Sequence, residues 1–472
     1  MNKMKLTNNK IKALCYFHDD NGRDPEILIP LLYFAEKYLN IEVETAFIYD
    51  IDKIRRRKPD LVIIANTIGS EFHHQVAKYA NKNGIKVFAL VSEGNFRTDG
   101  TFNYWGHNTD KVFYQDYICL WSNRTRDFFY NKLPTYQDKI VITGATGFDR
   151  YIAYKFESKN SFLKRYNLTK YKKIIGYAGW AFGKLYSNSG ISDIKHTFGN
   201  LAEDRIKWMK QQQFIIESIL RETIENNPDI LFILKRHPSE LPPHLTQKDN
   251  NEMVNLAHYP NVLYLRNEED IHTLINISDI WTAFESTTVL ETWIMKNTPT
   301  IFINPEIDFI RDSVYKGTVI VDSYKEFQNV INEFYKTGTV YEMHLPEKIN
   351  ARQKIIEEVV GYADGFNHLR AGYYLNKTIN KIQNKGKTKV KFNFTYFVRY
   401  ILISIGSIFY NKQIFVKLPK FKKTIWIFER QKLKNIKPLK EKYFKYLDSF
   451  YEKHKLNNKI SSKEIWNDII DQ

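Results

Sequence analysis

Apolar residues recur along the first third of the chain in short runs, at 11–17, 43–48, 61–65, 87–91 and 118–120. Between the runs stand segments with helical spacing, at 25–38, 51–58, 71–83 and 124–131. Short apolar runs bounded by polar turns and alternating with helices mark strands of a parallel sheet covered on both faces. A sixth run, 140–143, leads into Gly144-Ala145-Thr146-Gly147-Phe148-Asp149-Arg150, and a helical stretch follows over 151–166. The alternation then starts again. Strands are predicted at 173–178, 230–235, 262–265, 279–283, 300–303 and 318–321, with helices at 202–226, 269–277, 288–296 and 324–336. Residues 346–381 predict one or two further helices that close the second domain, or cross back to the first.

The expected fold class is therefore α/β, with two Rossmann-like domains facing a cleft and a basic helical C-terminal extension. The expected domains are an N-terminal Rossmann-like domain at 1–150, a second Rossmann-like domain with its closing helices at 151–384, and an extension at 385–472 for membrane association or docking. Charge draws the last boundary. Residues 385–472 hold 21 of the 70 Lys/Arg and 7 of the 53 Asp/Glu, so +14 of the net +17 belongs to them. The remainder is nearly neutral, which argues against reading the whole chain as a nucleic-acid binder. In the extension, lysines alternate with Phe, Tyr, Trp and Ile. Its apolar run of about 14 residues is too short to span a bilayer, where ~20 are needed. Such a segment suits the headgroup layer of an anionic membrane, or a docking surface for another protein. It carries no nucleic-acid recognition motif.

The two cysteines, Cys15 and Cys119, fall in apolar runs, so no disulfide framework is expected. Residues 1–12 are polar and lysine-rich with no apolar core behind them, and the expected location is the cytoplasmic face of a membrane. No His, Cys or carboxylate spacing suggests a metal, and no cofactor is expected.

Three stretches carry candidate chemistry, all at predicted strand ends in the second domain. In Leu234-Lys235-Arg236-His237-Pro238, the strand delivers Arg236 and His237 to the sheet edge, where both can donate to a phosphate. An ordinary strand-to-loop turn with a solvated histidine is the bland alternative. In Ala283-Phe284-Glu285-Ser286-Thr287-Thr288, three hydroxyl residues open a helix, and free N–H groups there bind anions. Glu291, one turn on, could reach ribose hydroxyls. The same residues also suit a plain helix cap. In Gly176-Tyr177-Ala178-Gly179-Trp180-Ala181-Phe182-Gly183, Gly179 allows close approach of a ligand and Trp180 could wall a base or sugar. The spacing matches no nucleotide fingerprint, and a tight turn with a packed tryptophan stands beside that reading. For the first domain, acidic loops at 18–24 and 92–96 offer a base to deprotonate an acceptor hydroxyl. Glu93 is preferred and Asp20 is second; a cap or loop salt bridge is the alternative for each.

The strand with Arg236-His237-Pro238, the stretch 282–291 followed by 299–305, and the motif 144–150 together resemble bacterial surface-carbohydrate glycosyltransferases of the GT-B kind. These are related to Kdo and sialic-acid transferases and, more distantly, to CDP-glycerol glycerophosphotransferases. The resemblance covers roughly residues 10–375. It implies that His237, with Ser286 and Thr287, holds the phosphate of a CMP-sugar, and that the sugar passes to a surface polysaccharide or lipid-linked glycan. The acidic motif of those families has no clean counterpart here. Two other readings stand beside this one: a CDP-glycerol or CDP-ribitol polyol-phosphate transferase, and a non-catalytic scaffold of a polysaccharide assembly complex.

Overall fold

The computed structural model describes residues 10–20, 22–65, 71–92, 94, 112–132, 134–237, 240, 250–266, 268–296, 298–306, 313–382, 389–410, 425–462 and 465–466. The chain forms two compact units, Met1–Tyr154 with Glu357–Gln472, and Lys155–Ile356. This division differs from the expected domains on the C-terminal side, where the last helices join the first unit rather than standing apart.

The first unit is built on strands β1 (Ile11–Phe17), β2 (Ile41–Phe47), β3 (Leu61–Ile64), β4 (Lys86–Leu90), β5 (Tyr117–Leu120) and β6 (Ile140–Ile142). They pair in the order β2-β1-β3-β4-β5-β6, all parallel. The apolar runs make sense in this setting: β3, between β1 and β4, is buried at every residue, whereas the edge strand β2 leaves Glu42 exposed.

The helix Arg23–Tyr38 is apolar on nearly every side, with Leu28, Ile29, Leu31, Leu32, Phe34 and Ala35 all fully buried. A helix lying on a sheet needs only one apolar stripe, so this one requires cover on its outer face as well. The C-terminal segment supplies it. From the helix Ile436–Lys453, Phe444 and Tyr451 meet the Tyr33 ring edge-on at 5.1 and 4.9 Å, and Tyr451 stacks on Tyr38 at 5.6 Å. Asp448 accepts from the Tyr33 hydroxyl at 2.8 Å and pairs with Lys37. The helix Asn367–Asn380 packs close beside it: a Cβ built on Gly372 would lie 2.4 Å from the Phe34 ring. Its start is held by Asp149 of the 144–150 motif, whose carboxylate accepts the N–H groups of Asn367 and His368 at 3.0 and 2.7 Å. The same carboxylate lies 2.8 Å from His368 Nδ1, and His368 Nε2 lies 2.9 Å from the Tyr451 hydroxyl. All three side chains are buried, so this polar chain fastens three segments distant in sequence.

The second unit is built on β7 (Lys173–Ala178), β8 (Ile230–Lys235), β9 (Val262–Leu265), β10 (Ile280–Ala283), β11 (Thr300–Ile303) and β12 (Val319–Val321). Their order is β12-β11-β10-β7-β8-β9, again all parallel. Counted from its own first strand this is the order 6-5-4-1-2-3, the doubly wound dinucleotide-binding arrangement, with its topological switch between β7 and β10. The long helix Ala202–Asn226 and the helix Tyr324–Thr337 contribute Ile216, Leu220, Phe327 and Ile331 to the core on one face of this sheet.

Candidate active site

Register brings the three candidate stretches of the second unit together. Ala178 at the end of β7 pairs with Lys235 of β8 on one side and with Ala283 of β10 on the other. Neighbouring strands lie ~4.8 Å apart, so the corners that follow stand side by side at the carboxyl edge, spanning the switch point. That edge is where open α/β sheets bind ligands.

The β10 corner turns sharply at Glu285, whose φ of 51° places a non-glycine residue in the left-handed region. Ser286, Thr287 and Thr288 follow, each part-exposed, and the helix Thr288–Met295 begins. The hydroxyls are ordered among themselves. Ser286 Oγ lies 3.1 Å from Thr288 Oγ1, the Thr288 N–H points to Ser286 Oγ at 3.4 Å, and the Trp281 indole donates to Thr288 Oγ1 at 3.0 Å. Thr287 precedes the helix and makes no side-chain capping bond. The corner thus presents hydroxyls and a helix start together, the donor set an anion requires. Glu291 is nearly buried, and its carboxylate lies 3.8 Å from His272 Nδ1 on the preceding helix.

At the β8 corner, the Arg236 N–H extends the ladder to Leu265 at 2.9 Å, and the side chain is 1% exposed, enclosed by protein rather than held out into solvent. His237 is part-exposed, and its carbonyl accepts the Glu240 N–H at 3.1 Å. Pro238 lies outside the described residues. Lys235 donates to the Arg266 carbonyl, and burial draws its ammonium down to about 8.

The β7 corner is pinned from below by two acids that sequence reading missed. Glu252, fully buried, accepts the Tyr177 hydroxyl at 2.9 Å and the Trp180 N–H at 3.3 Å through one oxygen. Glu240 accepts the Gly183 N–H at 2.8 Å and the Asn251 amide at 2.9 Å. A Cβ at Gly179 would lie 2.8 Å from Glu252 Oε1 and 2.5 Å from Met253 Cε, so any larger residue here would push these two side chains aside. Burial, and then the nearby Glu240, push the Glu252 carboxyl up to about 8. Two isolated glutamates in the 240–252 stretch give no periodic signal, and only the fold places them under the glycine loop. Trp180 packs edge-on against Phe182 at 5.2 Å and against Phe284 of the β10 corner at 6.0 Å, which joins the two corners.

In the first unit, Glu93 lies outside the described residues. Asp20 is nearly buried, and its carboxylate accepts the Asn435 N–H at 3.1 Å, while Asp19 pairs with Arg430 at 2.8 Å. This acidic loop therefore anchors the C-terminal segment. Asp24, in the same corner after β1, accepts the His18 N–H at 2.6 Å, and burial pushes its carboxyl up to about 6. No group of three or more His, Cys, Asp or Glu residues that could hold a metal ion occurs among the described residues.

No family model matches the sequence, and no curated protein matches it either. Solved structures do match. A UDP-N-acetylglucosamine 2-epimerase from Listeria monocytogenes superposes with a TM-score of 0.50 at 13% identity, covering 82% of this chain and all of that one. A second UDP-N-acetylglucosamine 2-epimerase gives 0.50 at 13% identity over 81% of this chain and all of its own. The wall teichoic acid polymerase TagF, in a variant form, gives 0.49 at 14% identity over 80% of this chain and 90% of its own. The fold is of the GT-B kind. At these identities the likeness extends to the fold alone.

Proposed function

We propose that the chain is a nucleotide-sugar-dependent glycosyltransferase that works without a metal. The observation that carries this reading is the side-by-side placement of the 179–183, 236–237 and 286–288 corners at the switch point of a dinucleotide-type sheet. In this reading Ser286, Thr287 and the helix start hold the donor phosphate, and Thr288 orients Ser286. His237 donates to the same phosphate and stabilises the charge that grows on the leaving nucleotide. Arg236, being enclosed, lends positive charge from beneath. Gly179 and Trp180 shape the wall for the base or sugar, and Glu291 takes the ribose. A carboxylate of the first unit accepts the proton of the acceptor hydroxyl: Glu93, Asp20, or Asp24, whose raised pKa near 6 suits a base.

The donor we favour is a CMP-linked nonulosonic acid, such as Kdo or a sialic-acid-like sugar, passed to a surface polysaccharide or lipid-linked glycan at the inner face of the membrane. The test is a thermal-shift series on the full chain with CMP, CDP, UDP and GDP, because a bound product stabilises the fold by mass action. CMP should give the largest shift, and His237→Ala should abolish turnover while leaving the melting temperature within about a degree. A shift with CDP and turnover of CDP-glycerol would replace the sugar donor by a polyol-phosphate donor. Consumption of a UDP-sugar without transfer would mark an epimerase instead. No shift with any nucleotide would leave a scaffold.

A further inference from the structure

The basic segment after residue 384 divides into two parts with opposite surroundings. Helices Ile436–Lys453 and Leu456–Ser462 bury Leu447, Tyr451 and Leu456 within the first unit. The helix Phe394–Phe409 does not sink in this way. One side of it is held by helices Lys53–Arg57 and Glu71–Lys82. There Tyr396 meets Tyr79 edge-on at 5.1 Å, Arg399 donates to Gln75 at 3.1 Å, and the Arg56 guanidinium covers the Tyr400 ring at 4.0 Å.

The other side is apolar and open. Phe394 and Ile408 are 70% exposed, Leu402 is 61% and Ile405 50%, with Ile401 and Phe409 beside them. Positions 394, 401, 405 and 408, flanked by 402 and 409, fall on one stripe of a helix. Six exposed apolar side chains in one run make a contiguous apolar patch, and such a patch marks a binding face. The rim of the stripe is cationic where Lys389 and Lys391 lead into the helix; Arg55, Arg56 and Arg57, on the helix packed under it, are already paired with Asp52, Asp50 and Glu44. At its first turn a cavity of 390 Å³ is lined by Lys78, Arg399, His74 and Thr395, with Glu71 already engaged by the Gln75 amide at 2.7 Å. The helix has 16 residues, about 24 Å at ~1.5 Å per residue, and no described helix is long and apolar enough to cross a membrane.

We propose that helix Phe394–Phe409 is the docking element for an anionic lipid bilayer, lying flat with its stripe at the boundary of headgroups and acyl chains. Lys389 and Lys391, with Lys78 and Arg399 at the cavity, receive the lipid phosphates. A second copy of the chain is the poorer occupant, because symmetric pairing would set one cationic rim against another. The inference narrows the membrane placement proposed above to one helix and rests on it, while it stands apart from the donor reading.

The experiment is co-sedimentation of the full chain with vesicles of phosphatidylcholine alone and of phosphatidylcholine mixed with phosphatidylglycerol. The wild type should bind the mixed vesicles at least ~10-fold better. The triple variant Leu402→Asp, Ile405→Asp, Ile408→Asp changes only open positions, so it should melt like the wild type yet lose binding ~10-fold or more. The control Lys442→Glu, Lys445→Glu on the tail helix alters charge by a similar amount and should keep most of the binding. Three outcomes would overturn the proposal: no preference for anionic vesicles, equal loss in the control, or a wild-type dimer that the triple variant dissociates. Nucleotide thermal shifts, measured on the same proteins without vesicles, should be equal in all of them; their absence throughout would count against the donor reading instead.

Discussion

At the scale of single residues, Glu252 shows how a site is held together by a group that does no chemistry. Its carboxyl sits near 8 in the folded chain, against an ordinary value of 4.5. Between those two values the folded protein keeps a proton that the unfolded chain has released, so stability falls as pH rises through the window. Below about 4.5 both states are protonated and the contribution is fully present; above about 8 it is lost. Glu252→Gln keeps an oxygen for the Tyr177 hydroxyl and the Trp180 N–H while removing the ionisation. The melting temperature of the variant should therefore fall less steeply than the wild type's between pH 5 and 8, and should exceed it at pH 8. Parallel slopes in the two proteins would show that Glu252 does not carry the raised pKa. Gly179, Arg236, His237 and Ser286 are singled out in the sequence because they sit just past strand ends, where strand-to-loop transitions are visible as a change of composition. Glu240 and Glu252 are legible only after folding, because what selects them is the backbone above them.

Among elements, the strands were the most readable part of the chain. The twelve strands of the two described sheets fall within a residue or two of the apolar runs, since the inner strands, covered on both faces, read as near-continuous apolar stretches. Helix packing was less readable. The run 27–35 is apolar all round, a sign that something must cover its outer face, yet the covering segments lie more than 300 residues later and are rich in lysine. The close approach at Gly372 fixes how the helix Asn367–Asn380 meets Phe34. Gly372→Val forces those two helices apart and should cost about 1–3 kcal/mol, with Gly372→Ala costing less. Thermal or denaturant melts of the two variants would check the ranking, and a neutral valine would mean that the helices have room to shift.

For the whole molecule, the question is whether the basic C-terminal segment is an appendage or part of the first unit's core. Composition favours an appendage: +14 of the net charge lies there, with aromatics scattered through it. Burial decides otherwise for its second half. Ile436, Leu447, Phe450, Tyr451, Leu456, Ile460 and Trp466 are each at most 6% exposed. A buried side chain of this kind contributes roughly 1.5–3 kcal/mol, so the set amounts to something on the order of 10 kcal/mol, comparable to the ~5–15 kcal/mol that holds a typical domain folded. Tyr451 also completes the Asp149–His368 chain, where burial holds the Asp149 carboxyl above its ordinary range despite the histidine beside it. Deleting residues 425–472 should therefore leave the first unit without a cooperative melting transition and prone to aggregate. An appendage would come away with the remaining chain melting as before. The triple aspartate variant of Phe394–Phe409, which empties no core, supplies the contrast: it should keep the full transition while the truncated chain loses it. Equal melts for the truncated and intact chains would mean that helix Arg23–Tyr38 tolerates an uncovered apolar face, and the boundary near residue 384 would then be the true edge of the folded body.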